Sequence, residues 1–294
     1  MYYDKTLKNK IISFLKFAFI PLFAFAVVVI IPFILGVYMT FTNSTGTSIS
    51  GEFVGLSNYI FVFKDEQFWI SLAKTFEYTF WVLIFTNLLA FSLALLVTSG
   101  IKGQNVFRTG FFTPNLIGGV ILGFIWQFIF TRILLFLGEN FNIALFDSSW
   151  LVDPTKALWA LIIVGVWQNS GYMMLIYISG FQNIPNSLIE AAGLDGASKM
   201  QILTKIKIPL MMQSFTISVF LTLKNAMMVY DTNLSLTKGG PFRKTELISM
   251  NVYNEAFVYQ NYGPGQAKAI ILFLIVAIIA IAQVSIMKKK EVEA

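Results

Sequence analysis

Six long apolar stretches punctuate the chain, at about residues 17–41, 75–98, 110–130, 157–180, 209–232 and 267–287. At a rise of about 1.5 Å per helical residue, roughly 20 to 25 residues make a rod ~30 to 37 Å long, enough to cross a bilayer's hydrocarbon layer with some tilt. The pattern predicts an all-α, polytopic membrane protein: six transmembrane helices over 17–287, a tail at 1–16, a polar segment at 181–208 and a second tail at 288–294. Pro21 and Pro32 lie inside the first stretch and are expected to bend it. Lys8, Lys10 and Lys16 precede that stretch as they would a signal peptide. It outruns such a segment, however, and lacks a small-residue cleavage pattern after Val37-Tyr38-Met39-Thr40-Phe41, so it is read as a retained span.

Composition supports this reading. Of 294 residues, 56% are apolar and 12% charged, about half the charge a soluble domain carries. With neither cysteine nor histidine, the chain has no material for disulfides, thiol nucleophiles, imidazole bases or the usual zinc sites. The net charge of +6 is not gathered into the stripe that nucleic-acid binding needs, so no nucleic-acid partner is expected. It sorts by membrane side instead. Lys5, Lys8, Lys10, Lys16, Lys102, Arg108, Lys199, Lys205, Lys207, Lys288, Lys289 and Lys290 fall in short segments on the side of the two termini. Lys64, Lys74, Arg132, Lys156, Lys238, Arg243, Lys244 and Lys268 are spread through longer loops opposite. The positive-inside bias therefore predicts that both termini are cytoplasmic.

The external segment 42–74 opens rich in Ser, Thr and Gly and turns aromatic at Phe53, Tyr59, Phe61, Phe63, Phe68 and Trp69. A short interfacial helix fits, serving either as a membrane-surface anchor or as a docking site for an external partner. The polar segment 181–208 is more informative. Pro185 suits a first helical turn, and Leu188, Ile189 and Ala192 make an apolar stripe at helical spacing. Gly193 can stop the helix in the left-handed conformation, and Asp195 can cap a second helix through Ala197, Met200, Ile202 and Leu203 before Pro209 opens the fifth span. Such an elbow can be a rigid knob gripped by a partner or an ordinary re-entry turn, and the physical reading leaves both standing.

The residue string goes further. Glu190-Ala191-Ala192, Asp195-Gly196-Ala197, Ile206 and Ile208-Pro209 resemble the EAA loop of permease subunits in binding-protein-dependent ATP-binding-cassette importers, in their carbohydrate-uptake branch. The resemblance continues in Phe53, Gly55, Leu56, Asn58, Tyr59, Asp65, Phe68 and Trp69, and then in Pro114, Trp126, Trp150-Leu151, Asp153-Pro154 and Trp167. Beyond the elbow it takes in Leu236-Thr237, Gly239-Gly240-Pro241, Thr245, Tyr253, Ala256-Phe257, Gly263 and Ala267. Leu203, Ile208 and Gln213 stand where the family more often has Phe, Leu and Pro. The resemblance implies a type I importer permease whose elbow (Glu190, Ala191, Ala192, Asp195, Gly196, Ala197) seats on a separate cytoplasmic ATPase. It also implies a second, related permease, two ATPase subunits and an external solute-binding protein. The chain has no G-x-x-x-x-G-K-[ST] string, so it binds no cofactor itself, and ATP and Mg are expected on the partner ATPase.

Polar side chains deep in hydrocarbon are costly unless they face a cavity or one another. The fourth and fifth stretches hold Gln168, Asn169, Ser170, Tyr172, Ser214, Thr216, Ser218, Thr222, Lys224 and Asn225. A sugar needs amide and hydroxyl partners for its hydroxyls and aromatic rings for its apolar faces. Trp167, Gln168, Asn169, Tyr172, Thr222, Lys224 and Asn225 are the candidates, against the plain alternative of hydrogen bonds between helices. Lys224 should face water, a carboxylate or an anionic ligand. Asp231, seven positions on, would lie roughly 10 Å away in a continuous helix. The pattern therefore leaves open a neutral sugar, an acidic oligosaccharide or a sugar phosphate. The Gly119/Gly123 spacing permits close helix contact, within the chain or with the partner permease. Two other classes remain, a channel opened by its own ligand and a membrane-embedded enzyme; the enzyme would want paired acids or a metal cluster inside a span, and the sequence offers neither, so catalytic and metal-binding residues are expected to be absent.

Overall fold

A computed structural model describes residues 7–44 and 51–291, with the side chains of residues 7, 8 and 10 excepted. Lys5, the Ser/Thr/Gly-rich residues 45–50 and the last three residues of the second tail lie outside this range. Among the described residues helices are the one kind of regular secondary structure, joined by turns and loops, apart from one isolated antiparallel bridge between Thr42 and Phe53.

Among the described residues five helices are long and apolar enough to span, and a bent pair counts as a sixth if its two halves form one span. The first, α1 (Ile11–Met39), has no residue of its most apolar window buried within the chain, so its girth is left to lipid or to another subunit. Each proline in it follows a widened π-helical turn, Leu15–Phe19 before Pro21 and Ala26–Ile30 before Pro32. Such a turn accommodates a ring that cannot donate and that crowds the preceding carbonyl. After a short α2 (Ser57–Lys64) comes α3 (Glu66–Thr98), which starts nine residues earlier than the apolar pattern implied. Its first turns are too polar to be read as hydrocarbon.

The third apolar stretch is not one helix. It divides into α4 (Gln104–Leu116) and α5 (Gly119–Phe141), with Ile117 and Gly118 extended between them (ψ 126° and 140°). Adjacent glycines are poor helix formers, and a hydropathy window cannot see a two-residue break. Next, α6 (Pro154–Gln182) is entered through Asp153, whose side chain accepts from the Lys156 amide. The elbow helix α7 (Asn186–Leu194) follows.

The fifth span also departs from the pattern. Its helix begins well before Pro209, as α8 (Lys199–Leu210), bends by 68° at Met211 and continues as α9 (Met212–Met227). At 16 residues, α9 is only ~24 Å long. It stops at Met228, where the apolar pattern had carried the span to 232. Residues 228–230 run out of helix before α10 (Asp231–Leu236). The chain finishes with α11 (Ile248–Tyr253) and α12 (Tyr262–Lys288).

Two compact units divide these elements: residues 1–65 with 252–271, and residues 66–251 with 272–294. In the smaller, Asn58 Nδ2 donates to the carbonyls of Thr40 and Thr42, both at 2.8 Å. Lys268, 1% exposed, meets Asp65 at 2.6 Å and Glu255 at 2.7 Å, while Asn261 donates to the other Glu255 oxygen. In the larger unit α6 is the most deeply buried of the candidate spans. Glycines set its close approaches: a Cβ at Gly165 would stand 2.3 Å from the Tyr78 hydroxyl of α3, and one at Gly171 would stand 1.9 Å from the Phe111 carbonyl of α4. Two apolar clusters flank it, one around Tyr78, Val82, Leu122 and Leu161 and the other around Ala90, Ala94, Met173, Met174 and Met211.

Candidate functional site

The elbow is built by backbone chemistry. α7 has no buried residue, and Leu194 at its end is 91% exposed. It ends in a Schellman turn: the Ala197 amide donates to the Ala192 carbonyl at 2.9 Å and the Gly196 amide to the Gly193 carbonyl at 3.1 Å, with Gly196 at φ +78°. The left-handed residue is therefore Gly196 and not Gly193, which stays helical. The geometry also accounts for two alanines of the motif. Ala192 and Ala197 occupy the two positions that this turn brings together, and both are half-buried where the rest of residues 190–201 is exposed. Nor does Asp195 cap the second helix. Ser198 does, accepting from the Gln201 amide at 3.3 Å, while the Gln201 side chain accepts from the Ser198 amide at 2.8 Å. This reciprocal capping box outcompetes a carboxylate three residues upstream. Glu190, Ala191 and Asp195 are exposed on the outer side of this turn.

In the larger unit a recess of about 480 Å³ opens where α9 stops. Gln168, Asn169, Lys224 and Asn225 line it, as the intramembrane polar pattern suggested, together with Tyr78, Asn115, Tyr230, Asp231 and Thr232. Its polar groups are held in place. Gln168 Nε2 donates at 3.3 Å to the carbonyl of Ile117, one of the groups freed by the break between α4 and α5. A relay runs from Lys224 Nζ to Asn225 Oδ1 at 3.5 Å, from Asn225 Nδ2 to Asn169 Oδ1 at 3.1 Å, and from Asn169 Nδ2 to the Gly165 carbonyl at 2.8 Å. Lys224 and Asp231 are both exposed within the recess and form no ion pair with each other.

The other three candidates lie elsewhere. Thr222 is fully buried; its hydroxyl donates to the Ser218 carbonyl and accepts from Asn87. Trp167 packs edge-on against Trp126 with centroids 5.4 Å apart and borders an apolar groove with Phe85 and Trp159. Tyr172, 39% exposed, lies 6.5 Å from the Phe112 ring. Residue type alone cannot tell which side of a helix faces a cavity. Asn115 and Tyr230 were missed because each sits at a helix end that the apolar pattern had drawn as continuous.

The Gly119/Gly123 pair serves contact within the chain: Cβ atoms there would stand 3.4 Å from the Thr232 backbone nitrogen and 3.1 Å from that of Leu236, so α5 and α10 approach at their backbones. That contact forms one wall of the recess. Among the described residues no group of three or more Asp or Glu side chains converges as a metal site would require. Amides, hydroxyls and two opposite charges around an open volume can bind and orient a polar solute.

Residues 86–291 match the family described as the binding-protein-dependent transport system inner membrane component. The chain is 42% identical over 272 residues, 92% of each protein, to the probable starch degradation products transport system permease protein AmyD of Thermoanaerobacterium thermosulfurigenes. It is 31% identical over 276 residues, 94% of this chain and 95% of the other, to the multiple sugar-binding transport system permease protein MsmF of Streptococcus mutans. Its fold is that of a chain in a bacterial ABC transporter involved in the import of the acidic polysaccharide alginate, with a TM-score of 0.83 at 18% identity over 96% of this chain and 98% of that one. A chain of a bacterial alginate ABC transporter in complex with an alginate pentasaccharide-bound periplasmic protein gives 0.80 at 18% identity, over 95% and 96%. The match runs unbroken from the middle of α3 to the last residues described, and the relatives align over nearly their whole length, so the chain belongs to the family of inner-membrane components of binding-protein-dependent transport systems.

Proposed function

We propose that the protein is the permease subunit of an ATP-driven importer of sugars or oligosaccharides, receiving its solute from an external binding protein. The observation that carries this reading is the recess at the outer end of α9, where amides, hydroxyls and two tyrosines surround about 480 Å³ in an otherwise apolar bundle. Such a lining matches a polyhydroxylated solute, whose hydroxyls both donate and accept and whose ring faces are apolar. The two relatives, named for the transport of starch degradation products and of multiple sugars, point the same way.

The elbow supplies the coupling. An exposed helix that ends in a Schellman turn and passes straight into a second helix fixed by a capping box is a stiff protrusion, suited to a groove on a cytoplasmic ATPase that carries ATP and Mg. One chain presents one elbow, so a pair of ATPase subunits calls for a second permease. Both termini and the elbow then lie in the cytoplasm, with Lys288, Lys289 and Lys290 beside the inner membrane face. Closure of the ATPase pair draws the elbows together and opens the recess outward, and hydrolysis reverses the bias. Each ligand shifts the balance only by its differential affinity for the two states.

Reconstitution tests the proposal: the chain, a partner permease, the ATPase and a binding protein in proteoliposomes, with labelled sugar outside. The expected result is uptake that requires both ATP and binding protein. Flux without ATP would mark a channel, and conversion of the sugar would mark an enzyme. Lys224 favours a second reading, a solute that bears a carboxylate or phosphate; Asp231 in the same recess opposes it.

A further inference from the structure

Asn87, in the middle of α3, is the centre of a buried hydrogen-bond cluster outside the recess. Its Oδ1 accepts from the Tyr177 hydroxyl of α6 at 2.8 Å and from Ser218 Oγ of α9 at 2.7 Å. Its Nδ2 donates to the Leu83 carbonyl at 2.8 Å and to Thr222 Oγ1 at 3.4 Å. Tyr177, Ser218 and Thr222 are each 0% exposed. One half-buried amide thus satisfies polar groups from two other helices whose own side chains are fully buried.

The position of this cluster along the chain is what gives it a consequence. On α6, Tyr177 lies eight residues beyond Asn169 of the recess and nine before Asn186, where the elbow helix starts. On α9, Ser218 lies seven residues beyond the bend at Met211 and seven before Asn225 of the recess. At about 1.5 Å per residue these separations are all ~10 to 14 Å, so Asn87 joins the two helices that leave the elbow at a point midway to the recess. α6 and α9 are connected through the elbow at one end and through the Asn169–Asn225 contact at the other, and between them Tyr177 packs on Phe215 with centroids 4.8 Å apart, an apolar contact that, unlike directional hydrogen bonds, fixes no register. Without a tie between these points, a push on the elbow can be absorbed by sliding of α9 along α6.

Resting on the importer reading, we infer that Asn87 is a positioning residue for coupling: it holds α6 and α9 in register so that displacement of the elbow reaches the recess. The bland reading is that the cluster contributes stability alone. The two differ in a ratio, sugar transported per ATP hydrolysed, which fold stability does not change.

The experiment compares wild type with Asn87→Leu, which removes the hub, and with Tyr177→Phe and Ser218→Ala, which remove one spoke each. All are reconstituted with the partner permease, ATPase and binding protein. The expected result is binding-protein-stimulated ATP hydrolysis within about twofold of wild type, while sugar moved per ATP falls on the order of fivefold in Asn87→Leu and by less in each single-spoke variant, the low end of typical coupling between sites. Uptake and hydrolysis that fall together, with an unchanged ratio and a lowered melting temperature, overturn the proposal. Should Asn87→Leu fail to assemble, the spoke variants decide: a normal ratio in both overturns it as well. If wild type itself shows no binding-protein-stimulated hydrolysis, the importer reading fails instead, and the two failures are distinct.

Discussion

Gly123 of α5 lies so close to Ser235 of α10 that a Cβ there would stand 1.8 Å from the serine Oγ and 3.1 Å from the backbone nitrogen of Leu236. The backbone cannot move aside without opening one wall of the recess. Gly123→Val is therefore expected to cost about 1 to 3 kcal/mol, as overpacking a close-packed contact does, and to lower the melting temperature of the detergent-solubilised protein. Gly110, in the interior of α4 with nothing within 4 Å of its would-be Cβ, is the control: Gly110→Ala should be neutral or stabilising by up to ~1 kcal/mol. Equal melting of the two variants would remove the backbone contact.

Lys268 is paired with two carboxylates, and it is buried with Glu255, while Asp65 is 18% exposed. Removing it leaves both acids without this cation. Lys268→Met is expected to destabilise by roughly 3 to 5 kcal/mol, the usual cost of leaving a buried charge without its partner, read as loss of monodisperse protein on size exclusion after mild heating. Because the penalty comes from the stranded charge, adding Glu255→Gln to Lys268→Met should recover part of the loss. No recovery in the double variant would mean that the methylene packing of Lys268 matters and its charge does not.

How much of this was legible in the sequence depends on how local the signal is. A span is announced by some 20 consecutive apolar side chains, so the membrane-spanning character and the position of α6 were readable. Breaks were not. The interruption at Ile117-Gly118 and the bend at Met211 involve one or two residues each, and their neighbours are as apolar as any span. Gln168 and Asn225 were found because amides inside hydrocarbon stand out; Thr222 has the same signature and turned out to be tied to Asn87, because a polar residue on a helix announces a partner without saying which. At the elbow the motif was plain but its mechanics were not, since Gly193 and Gly196 are indistinguishable until the turn's hydrogen bonds are drawn.

That pair of glycines gives a direct test. Gly196 sits at φ +78° with nothing within 4 Å, so a methyl group there meets only the left-handed backbone penalty of ~1 to 2 kcal/mol. Gly193, helical and equally uncrowded, should accept alanine with a gain of up to ~1 kcal/mol. Gly196→Ala is expected to reduce co-purification of the ATPase and sugar uptake while leaving membrane abundance unchanged, and Gly193→Ala to do neither. The reverse pattern would place the turn at Gly193 and undo the Schellman assignment.

Lys224 and Asp231 bring opposite charges to one recess without meeting. If the solute is neutral, the ammonium acts as a hydrogen-bond donor and the carboxylate as an acceptor, and each offsets the other's field across the recess. Lys224→Gln and Asp231→Asn then each lose a charge-assisted hydrogen bond, about 1.5 to 3 kcal/mol or roughly 10- to 150-fold in apparent affinity, and neutral sugars suffer similarly from both. If the solute is anionic, the two substitutions part: Lys224→Gln abolishes uptake of the acidic sugar, while Asp231→Asn improves it by relieving repulsion. Competition assays in proteoliposomes, with a neutral and a uronate-bearing oligosaccharide against each variant, separate the cases. Equal loss of both solutes in Lys224→Gln would show that the ammonium serves as a donor and that its charge selects nothing.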